Sequence, residues 1–448
     1  MALTLDLGRF VADLSPNRLP EEAARIARMG FIDCVGVMVA GREEAPTRLL
    51  TAVLQPGDGP ASICFTERRG PAPEAAWING VAAHALDYDD VALRGHPSTV
   101  LVPAILAEAE KLDLSGRDMV VAYVAGYEVW AELRNRESGH HHSKGWHPTG
   151  IFGAIAAAAA CAHLRRLDPA RTAQALALGA SQSAGLMANF GTMTKPFHAG
   201  RAAHAGIMAA RLAEVGFTAS TDALEHPQGF LAAVSPAGDV DRERKADALG
   251  ERWQIIETGL SIKKYPACYC THRAIDGMLD LVQERDVCPE DVASVGVTLS
   301  ENFATILRNH RPQTGLAAKF SIEFAMACAI VARRVGLAEL TDGFVQRPEV
   351  QGLMQRVETT TNTDYDPTLP GASMADQVTI RLKSGEALEG EKVRRARGHA
   401  DRPLADPELF AKFADCFSVG RSAVPAQEMF ERLRGMEHVA ARALATVH

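Results

Sequence analysis

Apolar residues recur at three- and four-residue intervals through most of the first 260 residues, the spacing of helices with one buried face. Pro20 precedes Glu21-Glu22, and Ile26, Met29, Ile32, Cys34, Val37 and Met38 then hold one face up to Gly41. The same pattern predicts helices over 77–87, 99–111, 116–134, 150–164, 169–183 and 200–215, with the chain helical nearly throughout from Pro20 to about 260. Alanine and glycine dominate several of these segments, which lets helix axes approach closely. The segment from Gly150 to Ala162 is apolar on every side and reads as a fully buried helix.

The period changes near residue 290. Val295, Val297 and Leu299 alternate with polar neighbours, as do Val378, Ile380 and Leu382. Lys383-Ser384-Gly385 can then turn into another strand ending near Val393, and a helical run over 321–335 lies between. After Pro403 helical patterning returns over 406–417 and 425–445. The fold expected is mainly α: a large helical domain built from both chain ends, 1–266 and 403–448, with a smaller α+β lid domain over 267–402. The tail is expected to pack back on the first domain.

A length of 448 residues fits two domains. With 47% hydrophobic and 23% charged residues the composition is that of a soluble globular chain. The net charge of −8 argues against a nucleic-acid partner, yet leaves room for a local cationic pocket. The most apolar stretch is too short to span a bilayer, so no membrane partner is expected. Eight cysteines in so long a chain, several inside apolar runs, point to a reduced, cytoplasmic setting.

Four clusters carry candidate chemistry. Asp87-Tyr88-Asp89-Asp90, between His84 and His96, packs three carboxylates into four residues, and their repulsion calls for a cation, a metal or a charged histidine nearby. His147-Pro148 opens the buried helix. Lys195, His198 and Arg201 stand at intervals of three; with Pro196 as the first helical residue they would share one stripe at a helix start. Such a start favours anions. The fourth cluster is Lys263-Lys264-Tyr265-Pro266 through His272-Arg273. Histidines poised near neutrality beside fixed cations suit proton removal next to a carboxylate. The partner expected is therefore a small polycarboxylate substrate. Cys268, Cys270 and His272, or Asp89, Asp90, His96 and His147, offer metal-capable atoms, but no pair has a familiar zinc spacing and no metal is expected.

His84 to Asp90 with His96-Pro97-Ser98, Gly126-Tyr127-Glu128-Val129, Trp146-His147-Pro148, Lys195 to Ala203, and Lys264-Tyr265-Pro266 with His272 and Asp276 resemble the MmgE/PrpD family along nearly the whole chain. The resemblance implies a homodimer that works without metal or organic cofactor, its active site between the two domains. It implies catalytic roles for Asp87, His96, His147, Lys195 and His272, and substrate-binding roles for Lys264, His198 and Asp90. The activity implied is a lyase, a dehydratase or decarboxylase, on a citrate- or aconitate-type acid. An isomerase or epimerase using the same residues, a metal enzyme and an inactive anion-binding homologue are the alternatives. Three departures bear on the substrate: Val91 replaces a common threonine, the Asp90–His96 segment is short, and Ile306 to Pro312 lacks a tyrosine.

Overall fold

The computed structural model describes residues 3–369 and 371–445, and the protein is mainly α-helical. The chain divides into two compact units, Met1–Ser261 with Asp406–His448, and Ile262–Ala405.

The first unit is built on the helix Pro148–Leu164, whose residues 148–162 are all buried. Small residues set how closely its neighbours approach. A Cβ on Gly206, in the helix Thr194–Glu214, would lie 2.3 Å from the Ala157 Cβ. The helix Ala72–Ala85 crosses the Thr194–Glu214 helix at a second such contact, where a Cβ on Gly80 would lie 2.7 Å from the Gly200 Cα. That crossing brings the C-terminal end of one helix beside the N-terminal end of the other. The helix Asp406–Val419 lies against Glu21–Gly41 within the same unit, with Phe413 covering Gly36. Its Lys412 reaches Asp33 at 2.5 Å and donates to the Tyr88 carbonyl at 2.7 Å.

The second unit holds a four-stranded sheet in the order Val357–Asn362, Val292–Ser300, Gln377–Leu382, Ala387–Glu389. The first pair is parallel and the other two antiparallel. Val295, Val297, Leu299, Val378 and Ile380 face a core shared with the helices His272–Arg285 and Ile322–Ala332.

Several boundaries differ from the sequence reading. Residues 216–253 are largely irregular, with only the short helix Phe230–Val234 among them, because Pro227, Gly229, Pro236 and Gly238 interrupt the pattern. The helix carrying Lys195 starts at Thr194, so Pro196 is its third residue rather than its first. The tail helix Ala426–Arg434 stops at Gly435, and the chain resumes only as short turns. The strand Val357–Asn362 went unforeseen: as an edge strand of threonines with exposed side chains it shows no apolar alternation.

Candidate functional site

The helix Ala72–Ala85 ends in a left-handed turn at Asp87, with φ of 52°. A carboxyl side chain tolerates that conformation better than most, and the turn aims Asp87 at the neighbouring helix start. There Lys195 closes on it, Nζ to Oδ1 at 2.7 Å, with both side chains only 10% exposed. Asp89 lies two residues on and is wholly buried. Its Oδ1 accepts from His84 Nδ1 at 2.8 Å and its Oδ2 from His96 Nδ1 at 2.7 Å. One carboxylate therefore fixes two imidazoles as Nδ1–H tautomers, and each keeps its lone pair on Nε2.

The segment from Asp90 to His96 is short because it is a tight turn. Ala92 and Gly95 exchange both backbone hydrogen bonds around Leu93 and Arg94, which take φ of 51° and 61°. The His96 ring then folds back, its Nδ1 also 2.9 Å from the Asp90 carbonyl. Val91 pairs through its backbone with Ser261, at 2.8 and 3.0 Å. Ser261 is held in turn by the 116–134 helix: Glu128 accepts from the backbone N–H of Gln254 and Ile255, and Tyr127 donates to the Gly259 carbonyl at 2.7 Å. The Gly126–Val129 motif thus braces the loop that pairs with Val91.

His147 caps the buried helix at its N-terminus, with Pro148 as first helical residue. Its backbone N–H donates to the Gly185 carbonyl at 3.0 Å. Gly185 takes φ of 140°, and a Cβ there would lie 3.2 Å from the His198 ring and 3.4 Å from the His147 Cβ, so only glycine fits between the two histidines. The two Nδ1 atoms stand 3.1 Å apart. The His84 and His147 rings stack at 6.0 Å, and the His84 and His96 rings are tilted to each other at 4.5 Å.

Burial sets the charges here. It pushes His84 down to about 4 despite Asp89 beside it, with Lys195 and His96 adding to the shift. Burial pushes His147 well below the usual imidazole range too, helped by His84 and Lys195, and it lowers His198 with help from Lys195. Burial pulls Asp89 upward, but the His84 and His96 hydrogen bonds and charges hold its carboxyl well below the usual range. Asp90 goes the other way: burial, then Asp33 and Asp89, raise its carboxyl well above it. The result is a carboxylate and a lysine–carboxylate pair beside neutral imidazoles. Two of these, His84 and His147, are 1% exposed, and their Nε2 atoms have no hydrogen-bond partner among the described residues.

In the second unit His272 opens the helix His272–Arg285 and is fully buried. Its Nε2 donates to the Ala267 carbonyl at 3.2 Å, which leaves Nδ1 as the basic nitrogen. Tyr265 and Tyr269 flank the ring at 5.2 and 4.9 Å. Tyr265 donates to Asp276 at 2.5 Å, and Asp276 also accepts the Arg397 backbone N–H at 2.7 Å. Lys264 is half-buried in the preceding segment.

The structure thus gathers Asp87, Asp89, His96, His147, Lys195 and His198 around His84 in the first unit, and places Lys264 and His272 close in sequence in the second. Asp90 is buried beside Asp33. Arg201 turns from the Lys195 stripe to His204 at 2.8 Å and to the Trp77 ring. The reading from sequence gave no role to His84 and counted Asp89 as one charge among three and as a metal-capable atom, not as an orienting carboxylate. The signal for both was the five-residue spacing across a helix end, which closes the His84–Asp89 contact.

Two family models match consecutive parts of the chain: the MmgE/PrpD N-terminal domain over residues 5–243 and the MmgE/PrpD C-terminal domain over 265–434. The chain belongs to the MmgE/PrpD family. It is similar to cis-aconitate decarboxylase of Homo sapiens, 28% identical over 357 residues that cover 77% of this chain and 72% of the human one. The cis-aconitate decarboxylase of Mus musculus is 25% identical over 92% of this chain and 86% of its own length. That of Aspergillus terreus is 24% identical over 92% and 88%. No helix among the described residues is long and apolar enough to cross a membrane.

Proposed function

We propose that this MmgE/PrpD chain is a lyase acting on an aconitate-type polycarboxylic acid by histidine-mediated proton transfer, without a cofactor. The observation that carries the proposal is the buried cluster in which Asp89 orients His84 and His96 next to the Asp87–Lys195 pair. Similarity to cis-aconitate decarboxylases supports the substrate class.

In this reading Lys195, with His198 beside it, receives a substrate carboxylate. Decarboxylation breaks a carbon–carboxylate bond and leaves an electron pair on carbon, delocalised over the neighbouring double bond. That charge needs fixed cations and then a proton. Dehydration begins with proton removal instead, which needs an unprotonated base. His147, pushed well below the usual imidazole range by burial, is neutral at pH 7 and can accept the proton that dehydration removes; in decarboxylation it first takes up a proton from water and then passes it to the carbon as carbon dioxide leaves. His96 on Asp89 is its counterpart in this unit. Lys264 and His272 of the second unit are proposed to take part in the same reaction, His272 through Nδ1.

Val91 puts an apolar side chain where the family resemblance implies a threonine hydroxyl, and the turn at Leu93-Arg94 shortens the adjoining loop. Those two features bear on the substrate, and the second reading is an isomerase or epimerase of a small dicarboxylate with the same proton-transfer groups. We propose a homodimer as well, because Leu186, Met187, Met193 and Phe197 expose apolar surface on one segment. Sedimentation of the purified chain at the mass of a monomer would remove that part.

The deciding experiment incubates purified, EDTA-treated protein with cis-aconitate, citrate, 2-methylcitrate and C4 dicarboxylates, with product identification. Turnover of a six- or seven-carbon acid supports the lyase. Turnover of C4 acids alone selects the second reading. No turnover of any acid by folded protein defeats both.

A further inference from the structure

His84, His96 and His147 each bring one ring nitrogen within 4.8 Å of the other two. No spacing in the sequence announces this set, since 84, 96 and 147 belong to different segments. The three rings share a second feature: each is held through Nδ1. His84 and His96 donate from Nδ1 to the same carboxylate, Asp89, and the His147 Nδ1 meets the His198 Nδ1 at 3.1 Å. A neutral imidazole fixed at one nitrogen by a carboxylate or another acceptor presents the other as a ligand, which is how ligating histidines are oriented in metal sites. An independent observation points the same way. The Nε2 atoms of His84 and His147 are buried and have no hydrogen-bond partner among the described residues. Buried ring nitrogens left without a partner are unfavourable unless a ligand lies beside them.

We propose that the His84–His96–His147 cluster binds one borderline divalent cation of the Zn²⁺ class, and that the ion competes with the acid substrate. Three imidazoles with an open fourth position suit Zn²⁺, and Co²⁺ by substitution. At the 4.8 Å limit each nitrogen is about 2.8 Å from the centre of the triangle, so each ring must shift by less than about 1 Å to reach the usual Zn–N distance of about 2.0–2.1 Å. The nearby Lys195 charge opposes a cation, but its ammonium is already paired with Asp87, and the Asp89 carboxylate lies directly behind two of the ligands. Competition rests on the lyase reading, because it assumes that the acid uses the same histidines. The expected action is inhibition, reversed by a chelator, rather than support of turnover.

The test is Co²⁺ titration of EDTA-treated, dialysed full-length protein, read by visible d–d absorption. One equivalent is expected to give bands of a four-coordinate site. His96→Gln and His147→Gln are each expected to weaken Co²⁺ binding at least about 100-fold, and Asp89→Asn, which only orients the ligands, about 10–100-fold. His140→Gln/His142→Gln is expected to leave the bands intact, separating this site from the histidine-rich turn at His141–Lys144. Circular dichroism confirms that each variant is folded; His96, the most exposed of the three, serves if a fully buried position does not tolerate change. Zn²⁺ is expected to inhibit turnover competitively and EDTA to restore it. Absence of the bands, their survival in both His96→Gln and His147→Gln, or inhibition that added acid does not relieve, would overturn the proposal. Binding of Co²⁺ by a protein that turns over no acid defeats the lyase reading alone; turnover without Co²⁺ binding defeats this one alone.

Discussion

Two buried aspartates, one in each unit, were given opposite partners. Asp89 in the first unit meets two histidines, His84 and His96, among the described residues. Asp376 in the second is clamped by Arg273, with Nε at 3.0 Å and Nη2 at 2.5 Å, while Ser373 adds a hydroxyl at 3.0 Å and its carbonyl holds the same guanidinium at 2.8 Å. An arginine stays charged at every accessible pH and passes no proton on, so the Arg273–Asp376 contact ties the 373–376 segment to the helix His272–Arg285, even though burial raises the Asp376 carboxyl to about 6. A histidine can gain and lose a proton without leaving its carboxylate. The Asp89 hub therefore holds its neighbours in place and still permits proton transfer. Both carboxylates are equally buried, so burial alone does not mark a reactive site; the kind of partner does.

The comparison can be broken in order of expected effect. His147→Gln keeps the ring volume roughly but removes the base, and turnover on the true substrate is expected to fall about 10²–10⁴-fold with substrate affinity little changed. Near-normal turnover in a folded variant would move the base elsewhere. Arg273→Met strips a buried carboxylate of its partner, with an expected cost of about 3–5 kcal/mol in unfolding free energy. Denaturant melts should show that loss, while the shape of the pH–rate profile of the folded fraction stays that of the parent; a changed profile would mean the second unit's pair also tunes the chemistry.

His84 sharpens the contrast through pH. Its folded-state value is lowered to about 4, by burial first, against an ordinary value of 6.5. Unfolded chains then bind the extra proton first, so the contribution is complete above about pH 6.5 and is lost as pH falls toward about 4, by up to about 3 kcal/mol at roughly 1.4 kcal/mol per unit. Thermal melts of the parent and His84→Gln across that window should differ in slope; parallel curves would contradict the assignment. The smallest effects concern the 194–214 helix. Lys195→Ala should cost about 1.5–3 kcal/mol in kcat/KM, one charge-assisted contact, and Arg201→Ala less, since Arg201 is turned to His204 and Trp77. The reverse order, with both variants folded, would put the anion contact at Arg201.

The periodicity of the helices was legible because their buried faces repeat over many residues, and Gly116–Arg134 falls on its expected ends, where a Ser115–Asp118 capping box marks the start. The Val292–Ser300 and Gln377–Leu382 strands were legible for the same reason at period two. The edge strand Val357–Asn362 was not, since an edge needs no second apolar face. In the site, the repulsion among Asp87, Asp89 and Asp90 announced that counter-charges had to come from elsewhere. Which ones came could not be read off. Lys195 reaches Asp87 across 108 residues because Gly80 and Gly200 let two helices cross, and that depends on three-dimensional packing rather than on any local spacing. His84 was named beside the carboxylates but given no role, because its contact with Asp89 forms only where the chain turns beyond the helix end.

The central claim is that Asp89 makes two histidines fit for proton transfer on an aconitate-type acid. The most direct test measures kcat and KM for cis-aconitate with EDTA-treated parent protein and with Asp89→Asn, both checked for folding. The account predicts that the parent turns the acid over without added metal, and that Asp89→Asn lowers kcat about 10²–10⁴-fold while KM changes little. A folded Asp89→Asn protein with kcat close to that of the parent would contradict it.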